Sequence, residues 1–130
     1  MACKGPSKSL AFPRFTFVGM SWVLREFNKQ ADVLCHVTLG RKTEWRDVAV
    51  QPAEFELQAG DLIAGWSDGG FDRSEGGTAA YIINVKRDGL WTCLVSCGIF
   101  DGMTSNNDAF RMEAIGMELF IKEMMHYAVR

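Results

Sequence analysis

Residues 78–85 (TAAYIINV) and 90–100 (LWTCLVSCGIF) are two β-branched and aromatic runs flanking Lys86-Arg87-Asp88-Gly89. Asp-Gly between such runs is the strongest short-range signal for a hairpin. It commits the middle of the chain to an antiparallel sheet. Asp61 to Asp68 (DLIAGWSD) predicts a strand before it, ending in a turn at Gly69-Gly70. Residues 61–100 therefore read as a three-stranded meander. Strict alternation places Trp91, Cys93, Val95, Cys97 and Ile99 on one face of the third strand.

Helical signals flank the meander. Asn28 is a candidate N-cap for a helix from Lys29 to Leu39, with Gly40 as its stop. Thr104 to Asp108 is rich in capping residues, and a long helix follows from Asp108 to Ala128. Phe110, Met117, Phe120 or Ile121, Met124 and Ala128 recur at helical spacing as its candidate buried stripe, with Arg111, Glu118 and Lys122 opposite. Phe15 to Leu24 (FTFVGMSWVL) predicts a further strand. Residues 1–13 read as a lead-in tail. Residues 41–60 read as a connector with one short strand around Val48 and Val50.

At 130 residues, the chain is one domain's worth, and 48% apolar composition excludes a solvated coil. No apolar run approaches the roughly 20 residues of a membrane span. The first 13 residues lack the long apolar segment of a secretory signal, so the expected location is intracellular, cytoplasmic or nuclear. The four cysteines, at 3, 35, 93 and 97, lack the paired spacing of a zinc site and are expected to be free thiols. A net charge of -2 leaves nucleic-acid binding to a local patch or to bound cations.

Three carboxylates stand out. Glu113 is spaced with Phe110, Met117 and Phe120 on one helix face. Asp68 shares a strand face with Leu62, Ala64 and Trp66. Asp32 falls in the first helix beside Cys35 and His36. Each has a plainer reading: a stripe-edge Glu, a turn-initiating Asp and a solvated helix carboxylate. Together they are the oxygen ligands that a two-metal phosphodiester site needs.

At these residues the sequence resembles the ribonuclease H type 1 family, in its retroelement-encoded branch. Trp66-Ser67-Asp68-Gly69-Gly70 resembles the family's first strand, and Gly76 to Tyr81 its second. Thr104 to Asn107, then Arg111-Met112-Glu113-Ala114, resemble its turn and following helix. Trp22 to Leu34 (WVLREFNKQADVL) resembles its C-terminal segment, with Arg-Glu-x-Asn-x-x-Ala-Asp the most specific string. The two blocks stand in reversed order, three residues intervene between the Asn pair and Arg111, and nothing matches the family's fourth strand with its own Asp.

The resemblance implies one α/β domain over residues 1–130: a mixed sheet of the meander plus one strand, packed against two helices. Two architectures fit: a circularly permuted unit, with residues 15–24 beside 61–68, or the junction of two such units. The resemblance further implies cleavage of the RNA strand of RNA–DNA hybrids. Asp68, Glu113 and Asp32 would hold Mg²⁺ or Mn²⁺, and Gly69, Gly70, Asn106 and Asn107 would contact the hybrid. Arg25 and Asn28 read as fixing the helix start. The alternative is an inactive ribonuclease H-like binding or assembly module. Open sheet edges would allow a homodimer.

Overall fold

The computed structural model describes residues 28–128. The predicted strand at 15–24, the lead-in tail, Arg25 and Cys3 lie outside them. The chain runs α1 (Lys29–Arg41), β1 (Trp45–Val48), a 3₁₀ turn (Pro52–Glu54), β2 (Leu62–Asp72), β3 (Gly76–Arg87), β4 (Leu90–Asp101) and α2 (Ala109–Ala128). The four strands form one sheet in the order β1-β4-β3-β2, every neighbouring pair antiparallel. The class is therefore α+β. Among the described residues the sheet is antiparallel throughout and its fourth strand is β1, while the further strand expected at 15–24 lies outside them. The four residues of β1 come from the predicted connector.

The Asp-Gly turn forms as the sequence predicts. Asp88 and Gly89 both take positive φ, 52° and 81°, between the paired residues Arg87 and Leu90. That is the two-residue turn whose twist matches the strands it joins. The predicted Gly-Gly turn does not form. β2 continues through Gly69 and Gly70 to Asp72, and Asp72 Oδ1 accepts the N–H groups of Ser74 and Glu75 and the Ser74 hydroxyl. Gly40 does not stop α1 either. The helix runs to Arg41, and Lys42 takes the left-handed cap at φ 55°, donating its N–H to Thr38 O.

Each helix covers one face of the sheet. On β2 and β3, Gly65, Gly69 and Gly77 face α2, where an added Cβ would strike Phe120, the Glu113 backbone and Met112. On β4, Gly98 faces α1, where a Cβ would strike Thr38 and Trp45. Gly98 registers with Ala80 and Ala80 with Asp68, so these three share the α1 face. α1 crosses that face from β2 at its start to β4 at its end. There Trp45 Nε1 donates to Thr38 Oγ1 at 2.8 Å.

The main core lies between the sheet and α2. Phe55, Tyr81, Ile83, Val85, Leu94, Val95 and Tyr127 are its buried members. The predicted α2 stripe holds at Phe120 and Met124, which pack against this core, and at buried Ala128, and is corrected at Phe110, Met117 and Ile121. The helix buries Met112, Gly116, Glu123, Tyr127 and Ala128, whereas Phe110 is 81% exposed and Met117 and Ile121 are exposed too. Residues 112, 116, 123 and 127 share one face, and 110, 117 and 121 lie about half a turn away. The sequence is apolar on both, and the close approach at Gly69, Gly77 and Gly116 selects the buried one.

The single face predicted for β4 is also split. A bulge between Ile83 and Asn84 of β3 leaves Leu94 as the extra residue on β4. One added residue reverses the alternation. Trp91 and Cys93 register with Lys86 and Asn84 on the α1 side, while Val95, Cys97 and Ile99 register with Ile83, Tyr81 and Ala79 on the α2 side. Leu94 O accepts the backbone N–H groups of Ala49 and Val50, which ties the segment after β1 to the bulge. Among the described residues, Cys35, Cys93 and Cys97 form no disulfide, and no helix is long and apolar enough to cross a membrane.

Candidate functional site

Asp68 lies in the middle of β2, half-buried, not at a strand end. Both helices reach the strand around it. From one face, Asn28 Nδ2 donates to Ser67 O at 2.9 Å. Asn28 occupies the N-cap position of α1 but makes no side-chain cap bond. Its amide fastens the helix start to β2 instead. From the other face, the α2 backbone at Met112 and Glu113 sits against Gly69, and Gly116 lies against Asp68 O. Consecutive residues of one strand thus receive the starts of two helices.

Asp32 follows Asn28 by four residues, one turn along α1. Its carboxylate lies 3.7 Å from His36 Nε2 and is 31% exposed. Asp68 Oδ1 accepts the backbone N–H of Gly69 at 2.9 Å. Glu113 is exposed in the first turns of α2. Asp32 and Asp68 share the α1 side, whereas Glu113 projects from the helix on the other side. Its side chain can approach theirs only around the outer edge of β2. Among the described residues, no group of three or more His, Cys, Asp or Glu is gathered closely enough to hold a metal ion.

The four residues expected to touch substrate fall into two kinds. Gly69 is needed for packing, because any Cβ there meets α2 backbone. Gly70 is open: the nearest atom to an added Cβ is Thr78 Oγ1 at 3.8 Å. Asn107 builds the loop before α2. Its Nδ2 donates to Met103 O, and its Oδ1 accepts from the Asp108 N–H and from Arg111. Asn106 is exposed, with φ 57°. Asp108 Oδ1 accepts the Arg111 N–H at 2.8 Å, a bond of the N-cap type that starts the helix. Arg111 in turn binds Asp101 at 2.6 Å, which holds the Asp101 carboxyl below its usual range.

A second polar cluster escaped the sequence reading. Glu123 is buried and accepts from Arg46 Nε at 2.8 Å, Arg46 Nη2 at 3.0 Å and Tyr81 Oη at 3.0 Å. Burial pushes this carboxyl up, but the bonds from Arg46 and Tyr81 outweigh it and hold it below the usual range. Burial pushes the Tyr81 phenol well above its ordinary value, helped by the neighbouring Cys97 and Glu123. Glu123 is three residues beyond Phe120 and four before Tyr127, a spacing that marks it as inward-facing. Arg46 lay in the connector, where nothing signalled a partner.

No family model matches the chain, and neither a curated protein nor a solved structure matches it.

Proposed function

We propose that this chain is a ribonuclease H-like domain whose hydrolytic centre is Asp68, acting on the RNA strand of RNA–DNA hybrids. One observation carries this reading. The starts of α1 and α2, which bear Asp32 and Glu113, meet β2 at Ser67–Gly69 from opposite faces. That convergence brings three carboxylate-bearing elements to one point of the sheet edge.

By donor type, the three carboxylates suit a hard divalent cation, which takes oxygen ligands. Mg²⁺ is usually held by one or two carboxylates, with water and substrate phosphates completing its shell. Asp68 with Asp32 or Glu113 would hold Mg²⁺ or Mn²⁺, which supplies an activated water and neutralises charge on the leaving oxygen. Gly70, with open space beside it, leaves room for a sugar–phosphate backbone on the Asp68 face. Asn28 positions Asp32 by fastening α1 to Ser67.

The test is cleavage of a labelled RNA–DNA hybrid in millimolar Mg²⁺, with a chelator control. Asp68→Asn abolishes Mg²⁺-dependent cleavage while the thermal melt is retained. Cleavage by Asp68→Asn at the parent rate overturns the assignment.

A second reading is a non-catalytic binding or assembly module of the same fold. It is favoured by the outer face of α2, where Phe110, Met117, Ile121 and Met125 are exposed together. Contiguous apolar surface of this kind marks interaction sites. Thermal melts separate the two readings: a carboxylate site that binds Mg²⁺ raises Tm through linkage. An unmoved Tm together with a concentration-dependent mass favours the module, as a homodimer.

A further inference from the structure

We propose that the sheet face crossed by α1 also carries a stacking platform for single-stranded nucleic acid, built from Trp66, Trp91 and Lys86. α1 starts against Ser67 and crosses that face at the level of Asp68, Ala80 and Gly98. Toward the Asp88-Gly89 turn the face continues past the helix. There Trp66 stands two residues before Asp68 on β2. The registers Leu62–Lys86 and Lys86–Trp91 place the other two residues on the same side. The indoles of Trp66 and Trp91 meet edge to face, with ring centroids 6.5 Å apart and planes at 65°. Lys86 Nζ lies 5.8 Å from the centre of the Trp91 ring.

Trp91 is 47% exposed, and Leu62, in the same cross-strand row, is exposed too. Aromatic and apolar surface left in water together marks a binding site. The chemistry of the three side chains selects the ligand. Every base has a π-face that stacks on an aromatic ring, and a neighbouring cation meets the phosphate that follows it. Lys86 is exposed and forms no ion pair among the described residues. Arg87, the next residue, is committed to Asp61. A cation–π contact in water is weaker than base–aromatic stacking. An arriving base therefore takes the ring, and the flexible stem lets Lys86 turn to the phosphate. Trp66, only partly exposed, braces the Trp91 indole.

The tilt of the rings selects a single strand. Bases stacked on two planes at 65° cannot lie parallel as they do in a duplex, whereas an unpaired strand splays its bases. The platform also shares a strand and a face with Asp68, and the choice of ligand rests on the nucleic-acid reading of that site. Stacking further answers the net charge of -2, because it supplies affinity that charge does not.

The test is binding by the full chain, in chelator, of a fluorescently labelled oligouridylate of about 10 nucleotides. Trp91→Ala is expected to weaken binding about tenfold, and Trp91→Phe, which keeps a ring, by less than about threefold. An abasic strand of the same length is expected to bind the parent as weakly as the oligouridylate binds Trp91→Ala. Lys86→Gln is expected to lower the slope of log affinity against log salt by about 0.7, the share of one phosphate. Lys86 is exposed, so this variant reports even if Trp91→Ala fails to fold. Affinity that a folded Trp91→Ala leaves unchanged overturns the proposal. So does an abasic strand bound as tightly as the oligouridylate, or an unchanged salt slope. No binding at all leaves the aromatic face to a protein partner and also overturns it. Binding in chelator needs neither a bound cation nor hydrolysis. Hybrid cleavage without stacking sinks the platform alone, and stacking without hybrid cleavage sinks the nuclease reading alone.

Discussion

Of the three glutamates on α2, Glu113 and Glu123 stand ten residues apart, and the fold treats these two in opposite ways. Glu123 is buried and accepts three hydrogen bonds from β1 and β3. Glu113 is exposed beside the central residues of β2. The difference follows from what faces each end of the helix. Near its C-terminal end stand Arg46 and Tyr81, long donors that can meet a carboxylate below the helix. Near its N-terminal end stand Gly69 and Gly77, which let the helix backbone settle onto the sheet and leave no side chain to receive Glu113. The first end is a finished ion network. The second presents a carboxylate beside the strand edge.

The largest expected effect comes from breaking the finished end. Glu123→Ala leaves Tyr81 without its acceptor and Arg46 without its counter-charge. Removing one partner of a buried pair costs about 3–5 kcal/mol. Arg46 is 43% exposed and can turn to water, which places the cost near 3 kcal/mol. Glu113→Ala, at an exposed position, is expected to cost less than about 0.5 kcal/mol. Urea unfolding of the two variants measures the gap, and equal costs would break the comparison.

Next is the contact that seats the other end. Gly69→Ala sets a methyl group against the Glu113 backbone, where helix backbone has to shift. Overpacking of that kind costs about 1–3 kcal/mol. Gly70→Ala, with its nearest neighbour at 3.8 Å, is expected to be close to neutral. Paired melts of the two variants test whether α2 approaches β2 as closely as described. A larger loss at Gly70 than at Gly69 would invert the assignment of faces.

The comparison also has a pH signature. Glu123, Asp61 and Asp101 all have carboxyl groups held below their ordinary values in the fold. Arg87 sets the Asp61 shift and Arg111 that of Asp101. A depressed folded value means the stabilisation is complete above the unfolded value. It is lost as pH falls through the folded one. Stability is therefore expected to be flat near neutrality and to decline below about pH 4.5, the ordinary Glu value. Glu123→Ala removes part of that slope and leaves the share of Asp61 and Asp101. An unchanged acid slope would mean that Glu123 is not ionised in the network.

The sequence carried the elements with strong local chemistry. The Asp-Gly turn, the meander and both described helices stand close to their expected places: Asp88-Gly89 makes the turn and Asp108 caps α2, while α1 is fixed at its start by the bond from Asn28 to Ser67 rather than by a cap. What was hidden depends on contacts between distant segments. The short strand expected around Val48 and Val50 forms as β1 over Trp45–Val48, and its pairing was not legible: β4 offers an edge there and Arg46 finds Glu123, 77 residues away. The bulge at Leu94 is a one-residue offset that no alternation rule reports. The buried face of α2 is chosen by glycines on β2 and β3, not by the helix's own pattern. At the candidate site, Asp68 and the Asn28 anchor were legible as residues. The separation of Asp68 and Glu113 onto opposite faces of the sheet was not.

The smallest expected effect is the most direct test of that last choice of face. Phe110 has the spacing of a core residue, yet it stands 81% exposed at the start of α2. An exposed aromatic loses little water-excluded area when replaced, so Phe110→Ser is expected to change stability by less than about 0.5 kcal/mol. Met112→Ala, two residues on and fully buried against Gly77, is expected to cost about 2–5 kcal/mol. A loss above about 1 kcal/mol for Phe110→Ser would mean that something covers Phe110 in solution. Repeating the melt across a hundredfold range of concentration then identifies the cover. A loss that grows with concentration assigns it to a second copy, and a constant loss assigns it to the chain's own first 27 residues.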